Sequence, residues 1–229
     1  MWQCPFCSKM VESSPNADCD CKRWLQFLSE QSITTSDVKS PKYIARDETL
    51  VVNFFGGPGS GKSTLAAGVF SELKFNNINC ELAFEFAKDL TWEKRYKTFE
   101  DQIYIFGKQY HRIKRLMGQV EVIITDSPLL LTHIYDAEKR ETLKQLALEE
   151  HNKMWTYNVF ITRKKEFNPK GRLHNEAEAK NLDRIIMNMF DDNDVAYEVF
   201  DGTRLGLDDI VKKIELLLNW KEEAVSPEV

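Results

Sequence analysis

The chain has 229 residues, a net charge of −5 and 42% apolar residues. That size and composition suit one globular domain with a small addition and a real core, and they leave no global basic field for nucleic acid, although a local basic patch stays open. No apolar run reaches the roughly 18 residues of a membrane-spanning helix. Met1-Trp2-Gln3-Cys4 has neither the basic nor the apolar region of a secretory signal, so a cytoplasmic protein with reduced thiols is expected.

Four of the five cysteines fall in the first 21 residues: Cys4, Cys7, Cys19 and Cys21. Cys4-Pro5-Phe6-Cys7 is a C-x-x-C knuckle and Cys19-Asp20-Cys21 a tight C-x-C. In a reducing compartment such a cluster points to metal rather than to disulfides. Four thiolates make a closed tetrahedral Zn²⁺ site of the structural kind, and in so short a segment the metal supplies the stability. Residues 1–30 are therefore expected to form a Cys4 zinc knuckle. Trp24, Leu25 and Leu28 form one amphipathic turn after it. Residues 31–48, rich in Ser, Thr, Asp and Lys, read as a linker.

A nucleotide domain is expected over residues 49–220. Val51 to Phe55 is an apolar, β-branched and aromatic run that predicts a buried strand. Gly56 to Ser63 then matches G-x-x-x-x-G-K-[ST], and Leu65, Ala66, Val69, Phe70 and Leu73 follow at helical spacing. Strand, glycine loop and helix form the context that a phosphate-binding loop requires. Its glycines let the backbone turn tightly and converge N–H groups on phosphate oxygens, and the helix adds free N–H groups and its dipole. Gly57, Pro58, Gly59, Ser60, Gly61, Lys62, Ser63 and Thr64 are the candidate ATP-binding residues. Lys62 is expected on the β- and γ-phosphates and the Ser63 hydroxyl on Mg²⁺.

Asn79 to Phe84 reads as the second strand, ending at Glu85. A carboxylate at the carboxyl end of a parallel strand faces the crevice where such sheets bind ligands. There Glu85 is placed to take the proton of an attacking hydroxyl. Phe99 to Gln119 predicts one long helix whose apolar face carries Ile103, Phe106, Tyr110, Ile113 and Met117. Its other side carries Gln102, Lys108, Gln109, His111, Arg112, Lys114 and Arg115. From this polar side Gln102, Gln109 and Arg112, with Glu85, are the candidate acceptor-binding residues. Val120 to Asp126 is an apolar strand ending in an aspartate, the Walker B pattern, so Asp126 is expected to hold Mg²⁺ directly or through water.

Tyr135 to Lys153 predicts a polar helix, Thr156 to Thr162 the fourth strand. From Arg163 to Arg172, ten residues hold five cations, one acid, a proline and a glycine. A mobile basic lid at about 163–175 is what phosphoryl transfer requires, with Arg163 and Arg172 as its bidentate clamps. Leu182, Ile185, Ile186, Met189 and Phe190 mark a helix, Val195 to Phe200 a fifth strand, and Ile210 to Leu218 a terminal helix. Residues 221–229 read as a polar tail. Alternating strands and helices mean an α/β fold with a three-layer, parallel five-stranded sheet.

With the loop at 56–64, Glu85, Asp126 and the Arg163–Arg172 segment in hand, the chain resembles P-loop kinases of the nucleoside and nucleotide kinase type over about residues 49 to 220. Phe167 to Arg172, with Glu176, Glu178 and Asp183 beyond, resembles ATP-binding proteins of this type carried by tailed bacteriophages, which would place it in a host cytoplasm. The resemblance implies ATP·Mg as donor and, as in nucleoside kinases, a carboxylate base after the second strand. Asp126-Ser127-Pro128 departs from the Asp-Arg of thymidylate-kinase-like proteins and the Glu-Arg-Ser of deoxynucleoside kinases, and the acceptor class stays open. The expected activity is transfer of the γ-phosphoryl group of ATP to a nucleoside, a nucleotide or a modified nucleotide, free or within DNA. The alternative is an ATPase or interaction module acting on a protein or nucleic-acid partner. No membrane partner is expected.

Overall fold

A computed structural model describes residues 2–3, 10–11, 49–164 and 175–225. Cys4, Cys7, Cys19, Cys21 and Arg172 lie outside the described residues, as does most of the expected lid. The chain divides into two compact units: Glu48–Val211, and Met1–Asp47 together with Lys212–Val229. In the second of these, Trp2–Gln3 pairs antiparallel with Met10–Val11.

Glu48–Val211 carries the sheet. Its strands are β1 (Leu50–Phe55), β2 (Cys80–Leu82), β3 (Val122–Thr125), β4 (Trp155–Thr162) and β5 (Glu198–Asp201). They lie in the order β2-β3-β1-β4-β5 and every pairing is parallel. The helices are α1 (Lys62–Phe75), α2 (Phe86–Trp92), α3 (Tyr96–Phe99), α4 (Gln102–Lys114), α5 (Leu131–Tyr135), α6 (Glu141–Asn152), α7 (Glu176–Asp192) and α8 (Arg204–Val225). The expected α/β fold with a parallel five-stranded sheet is the one observed.

All six residues of β1 are buried, as its unbroken apolar run requires of a central strand covered on both faces. One polar row crosses this interior. Thr125, Asn53 and Asn158 are register partners on β3, β1 and β4. Asn53 Nδ2 donates to Asn158 Oδ1 at 2.9 Å, Asn158 Nδ2 to Ala196 O at 2.9 Å, and Thr125 Oγ1 to Ala83 O at 2.9 Å. A slip of one residue would leave these buried amides unpaired, at a cost of about 1–3 kcal/mol each, so the row fixes the register.

Three elements differ from the sequence pattern. The segment expected as one helix from Phe99 is split, because the Asp101 side chain accepts from Tyr104 N and caps a new helix, α4. The buried face of α4 is Gln102, Ile105, Phe106, Gln109 and Ile113, while Ile103 is 57% exposed. The two glutamines lie on the face that periodicity assigned to apolar residues alone. The segment expected as a helix over Tyr135–Lys153 is broken by Asp136, whose carboxylate accepts from Arg140 N and from its guanidinium, and by Lys139 at φ +50°. Finally, α8 is helical to Val225, past the point where a polar tail is expected.

Candidate active site

The glycine loop follows β1 and opens α1. Gly56, Gly59 and Gly61 take φ of +129°, +83° and +106°, conformations that side chains resist, so the motif's glycines are a backbone requirement. Gly57 is needed for a different reason. A Cβ there would lie 2.5 Å from Ala179 O, because α7 runs against the loop.

What presses α7 there is apolar packing. Phe190 is fully buried and meets Phe55, the last residue of β1, edge to face at 4.7 Å. Asp183 precedes Phe190 by seven residues, two helical turns, and so shares its face. Its Oδ1 accepts the Gly57 N–H at 2.5 Å, and Oδ2 lies 3.3 Å from Arg163 Nη1. Arg163, just past β4, is almost buried and donates from Nη2 to Pro58 O at 3.0 Å. Gly57, Asp183, Arg163 and Pro58 thus form one closed circuit behind the loop. Sequence reasoning gave Asp183 no role, although a carboxylate in register with an apolar helix face was the available signal.

Lys62 arches over the same loop, donating to Gly56 O at 2.6 Å and Gly57 O at 3.2 Å. The Ser60 hydroxyl and Arg163 Nε are buried without partners among the described residues. Unspent donors beside a loop of converging N–H groups suit a phosphate chain.

Glu85 and Asp126 meet at the carboxyl ends of adjacent strands. The pairing of Leu82 with Ile124 sets this register, and Glu85 N donates to Asp126 Oδ1 at 3.2 Å. Asp126 is buried, while Ser63 is exposed at the start of α1. Both line one open cleft of about 840 Å³ together with Glu85. Hydroxyl and carboxylate oxygens are the donors that Mg²⁺ takes, and it needs only one or two from protein beside phosphate and water. Ser63 and Asp126 fit that set. Among the described residues no group of three or more His, Cys, Asp or Glu could hold a metal ion.

Glu85 occupies the N-cap position of α2, but its carboxylate makes no capping bond. Burial raises its pKa above the usual carboxylate value, Lys62 opposes that, and Asp126 adds to it. Tyr135 is the second residue that sequence reasoning missed. Its phenol is pushed up to about 12, first by burial and then by the charges of Glu85 and Asp183. It ends the short helix α5, and no periodic pattern marks it.

The remaining candidates lie on α4. Gln109 is buried and turned inward: its Oε1 accepts Phe86 N at 3.0 Å, and its Nε2 donates to Ala83 O at 3.3 Å and Thr125 Oγ1 at 3.2 Å. It ties α4 to the ends of β2 and β3, which carry Glu85 and Asp126. Gln102 is also buried. Arg112 lines the cleft, but it donates to Phe84 O at 2.9 Å, pairs with Asp89 at 2.5 Å and lies 5.2 Å from the Phe86 ring centroid.

A family model described as an AAA domain matches residues 51–204. Among solved structures, the chain is similar to a thymidylate kinase from Ehrlichia chaffeensis, with 14% identity over 72% of this chain and 98% of that one and a TM-score of 0.50. It is also similar to a deoxyadenosine kinase from M. mycoides with bound dATP, with 19% identity over 72% and 98% and a TM-score of 0.48. At such identity the first likeness shows the fold alone. The chain matches no curated protein sequence.

Proposed function

The chain belongs to this AAA-domain family, and on that premise we propose that it is an ATP-dependent phosphotransferase acting on a nucleoside, a nucleotide or a modified nucleotide. One observation carries the reading. Glu85, a half-buried carboxylate free of any capping bond, lies against Asp126 in a cleft that also reaches Ser63 at the phosphate loop. A site that only hydrolyses ATP has no need of so large a cleft beyond the loop, whereas an acceptor does. The fold is one in which a thymidylate kinase works, which supports the reading by analogy only.

In this mechanism the loop amides and Lys62 hold the triphosphate, and Ser63 and Asp126 hold Mg²⁺, whose charge offsets that of the phosphates when bound. The acceptor oxygen bonds to the γ-phosphorus, the bond from that phosphorus to the bridging oxygen breaks, and ADP leaves. Glu85 receives the proton of an acceptor hydroxyl. Arg163 fixes the loop through Pro58 and Asp183, and Arg172 completes the charge clamp on the phosphoryl group. Cys4, Cys7, Cys19 and Cys21 hold one Zn²⁺, a set of thiols suited to a structural site. Metal analysis of protein purified without chelator should find one zinc per chain, lost when Cys4 and Cys7 are both serine.

The test is a screen with γ-labelled ATP and Mg²⁺ against nucleosides, monophosphates and oligonucleotides. Label should appear in one acceptor class, with little hydrolysis in its absence. Hydrolysis at full rate with no acceptor labelled would replace this reading with the ATPase one.

A further inference from the structure

We infer that the acceptor cleft takes a single strand of nucleic acid, its bases on exposed aromatic side chains and its phosphates on a row of cations. This rests on the phosphoryl-transfer reading, since it names that reaction's acceptor class.

The first observation is charge. The charged side chains that line the cleft are Lys88, Lys108, Arg112 and Arg115 against Glu85, Asp89 and Asp126, a local +1 in a chain whose net charge is −5. The second is where these cations fall. Lys108, Arg112 and Arg115 stand at i, i+4 and i+7, so they share one side of α4 and its last turn, and all three line the cleft, as does the His111 side chain between them. Lys88 lines it from α2. Arg112 is committed to Asp89 and Phe84, but Lys88, Lys108, His111 and Arg115 are exposed and form no ion pair among the described residues. At 1.5 Å per residue, the row from Lys108 to Arg115 runs roughly 10 Å. That outreaches a single phosphate and suits consecutive phosphates of a strand.

The third observation is apolar. Trp92, four residues after Lys88, is 77% exposed, and Phe84 is 59% exposed; both line the same cleft. Exposed aromatic rings interleaved with cations are what sequence-tolerant recognition of single strands uses, because every base offers a π-face. Glu85 and Asp126 lie beside Ser63, where the reaction needs carboxylates, and Asp89 is neutralised by Arg112. A free nucleoside would leave the cation row without a counter-charge, and a monophosphate would engage one end of it. The volume, about 840 Å³, is near the top of the range for small-molecule sites, about 300–1,000 Å³.

The experiment is fluorescence anisotropy of the full chain with labelled single-stranded DNA, single-stranded RNA and duplex DNA, with label transfer from ATP followed in parallel. Single strands should bind better than duplex, and the DNA and RNA arms tell which sugar is preferred. Trp92→Ala should weaken binding about five- to a hundredfold, the worth of one stacked base. Arg115→Ala should flatten the log–log salt dependence by about 0.7, one phosphate contact. Both side chains are exposed, so circular dichroism should match the unmodified chain. No single-strand binding, equal binding of duplex, or both variants binding normally would overturn the inference. Nucleosides labelled while strands do not bind would overturn it and leave the transfer reading standing. Strands bound through Trp92 and Arg115, with no acceptor labelled, would remove the transfer reading and overturn the strand's role as acceptor, leaving a strand-binding surface alone.

Discussion

The phosphate loop and the cleft beyond it, the donor and acceptor walls of the proposed site, are built on opposite plans. The donor wall is backbone held by partly buried side chains: Gly57 N–H on Asp183, Pro58 O on Arg163, Lys62 curled on the loop carbonyls. The acceptor wall is side chain standing in solvent: Trp92, Phe84, Lys88, Lys108 and Arg115. A triphosphate is the same in every substrate, so a rigid cradle can be prepared for it, and preorganised donors need no rearrangement when charge develops. An acceptor wall has to match one class of partner, and here it would do so with projecting groups whose loss the fold barely feels. The comparison predicts that donor-side substitutions lose activity and sometimes stability, while acceptor-side ones lose affinity alone.

The largest effect expected on the donor side is that of Lys62→Ala. Phosphoryl transfer should fall by about 10²–10³ or more, the usual worth of one preorganised charge stabiliser, with an unchanged circular dichroism spectrum. Loss that comes only with unfolding would mean that Lys62 serves the loop's structure instead. Next is Asp183→Ala, which frees the Gly57 N–H and leaves the Arg163 guanidinium without its carboxylate. Stability should drop by about 1–3 kcal/mol and the Michaelis constant for ATP should rise, with Asp183→Asn recovering much of the ATP affinity because it keeps an acceptor for Gly57. An Asp183→Ala chain with normal ATP kinetics would break the link between α7 and the loop. The smallest concerns α4. Ile105→Val should cost about 0.5–1.5 kcal/mol, since Ile105 is buried, and Ile103→Val less than about 0.5, since it is exposed. Equal costs in thermal melts would mean that the helix face is wrongly assigned.

The two walls were also unequally legible from sequence. The loop was readable because its fixed residues answer to backbone geometry: glycines at positive φ, a helix start, an apolar strand before them. Asp126 was readable for a similar reason, as the residue following a buried strand. Glu85 depended on register, which the sequence leaves open, and the polar row through Thr125, Asn53 and Asn158 is what fixes it. The face of α4 was misassigned because Gln102 and Gln109 look like surface residues. Gln109 is buried because its amide can satisfy the Phe86 N–H, Ala83 carbonyl and Thr125 hydroxyl at once, a compensation visible only in three dimensions. Asp183 and Tyr135 reach the site through helix docking, which no local motif encodes.

The central claim, that Glu85 is the base for a hydroxyl acceptor, meets its most direct test in the pH dependence of transfer by the unmodified chain and by Glu85→Gln. Burial raises the Glu85 pKa, so its basic form accumulates only as pH climbs through a value above that of an ordinary carboxylate. Turnover of the unmodified chain should therefore rise across that window. Glu85→Gln should lose about 10²–10⁴ in turnover together with the rising limb, with ATP binding retained. The same sign applies to stability: a raised carboxylate pKa favours the folded state at low pH and is lost as the group ionises, so Glu85→Gln should gain thermal stability relative to the unmodified chain as pH rises. Full turnover in Glu85→Gln, with the same pH limb and a hydroxyl acceptor labelled, would contradict the claim.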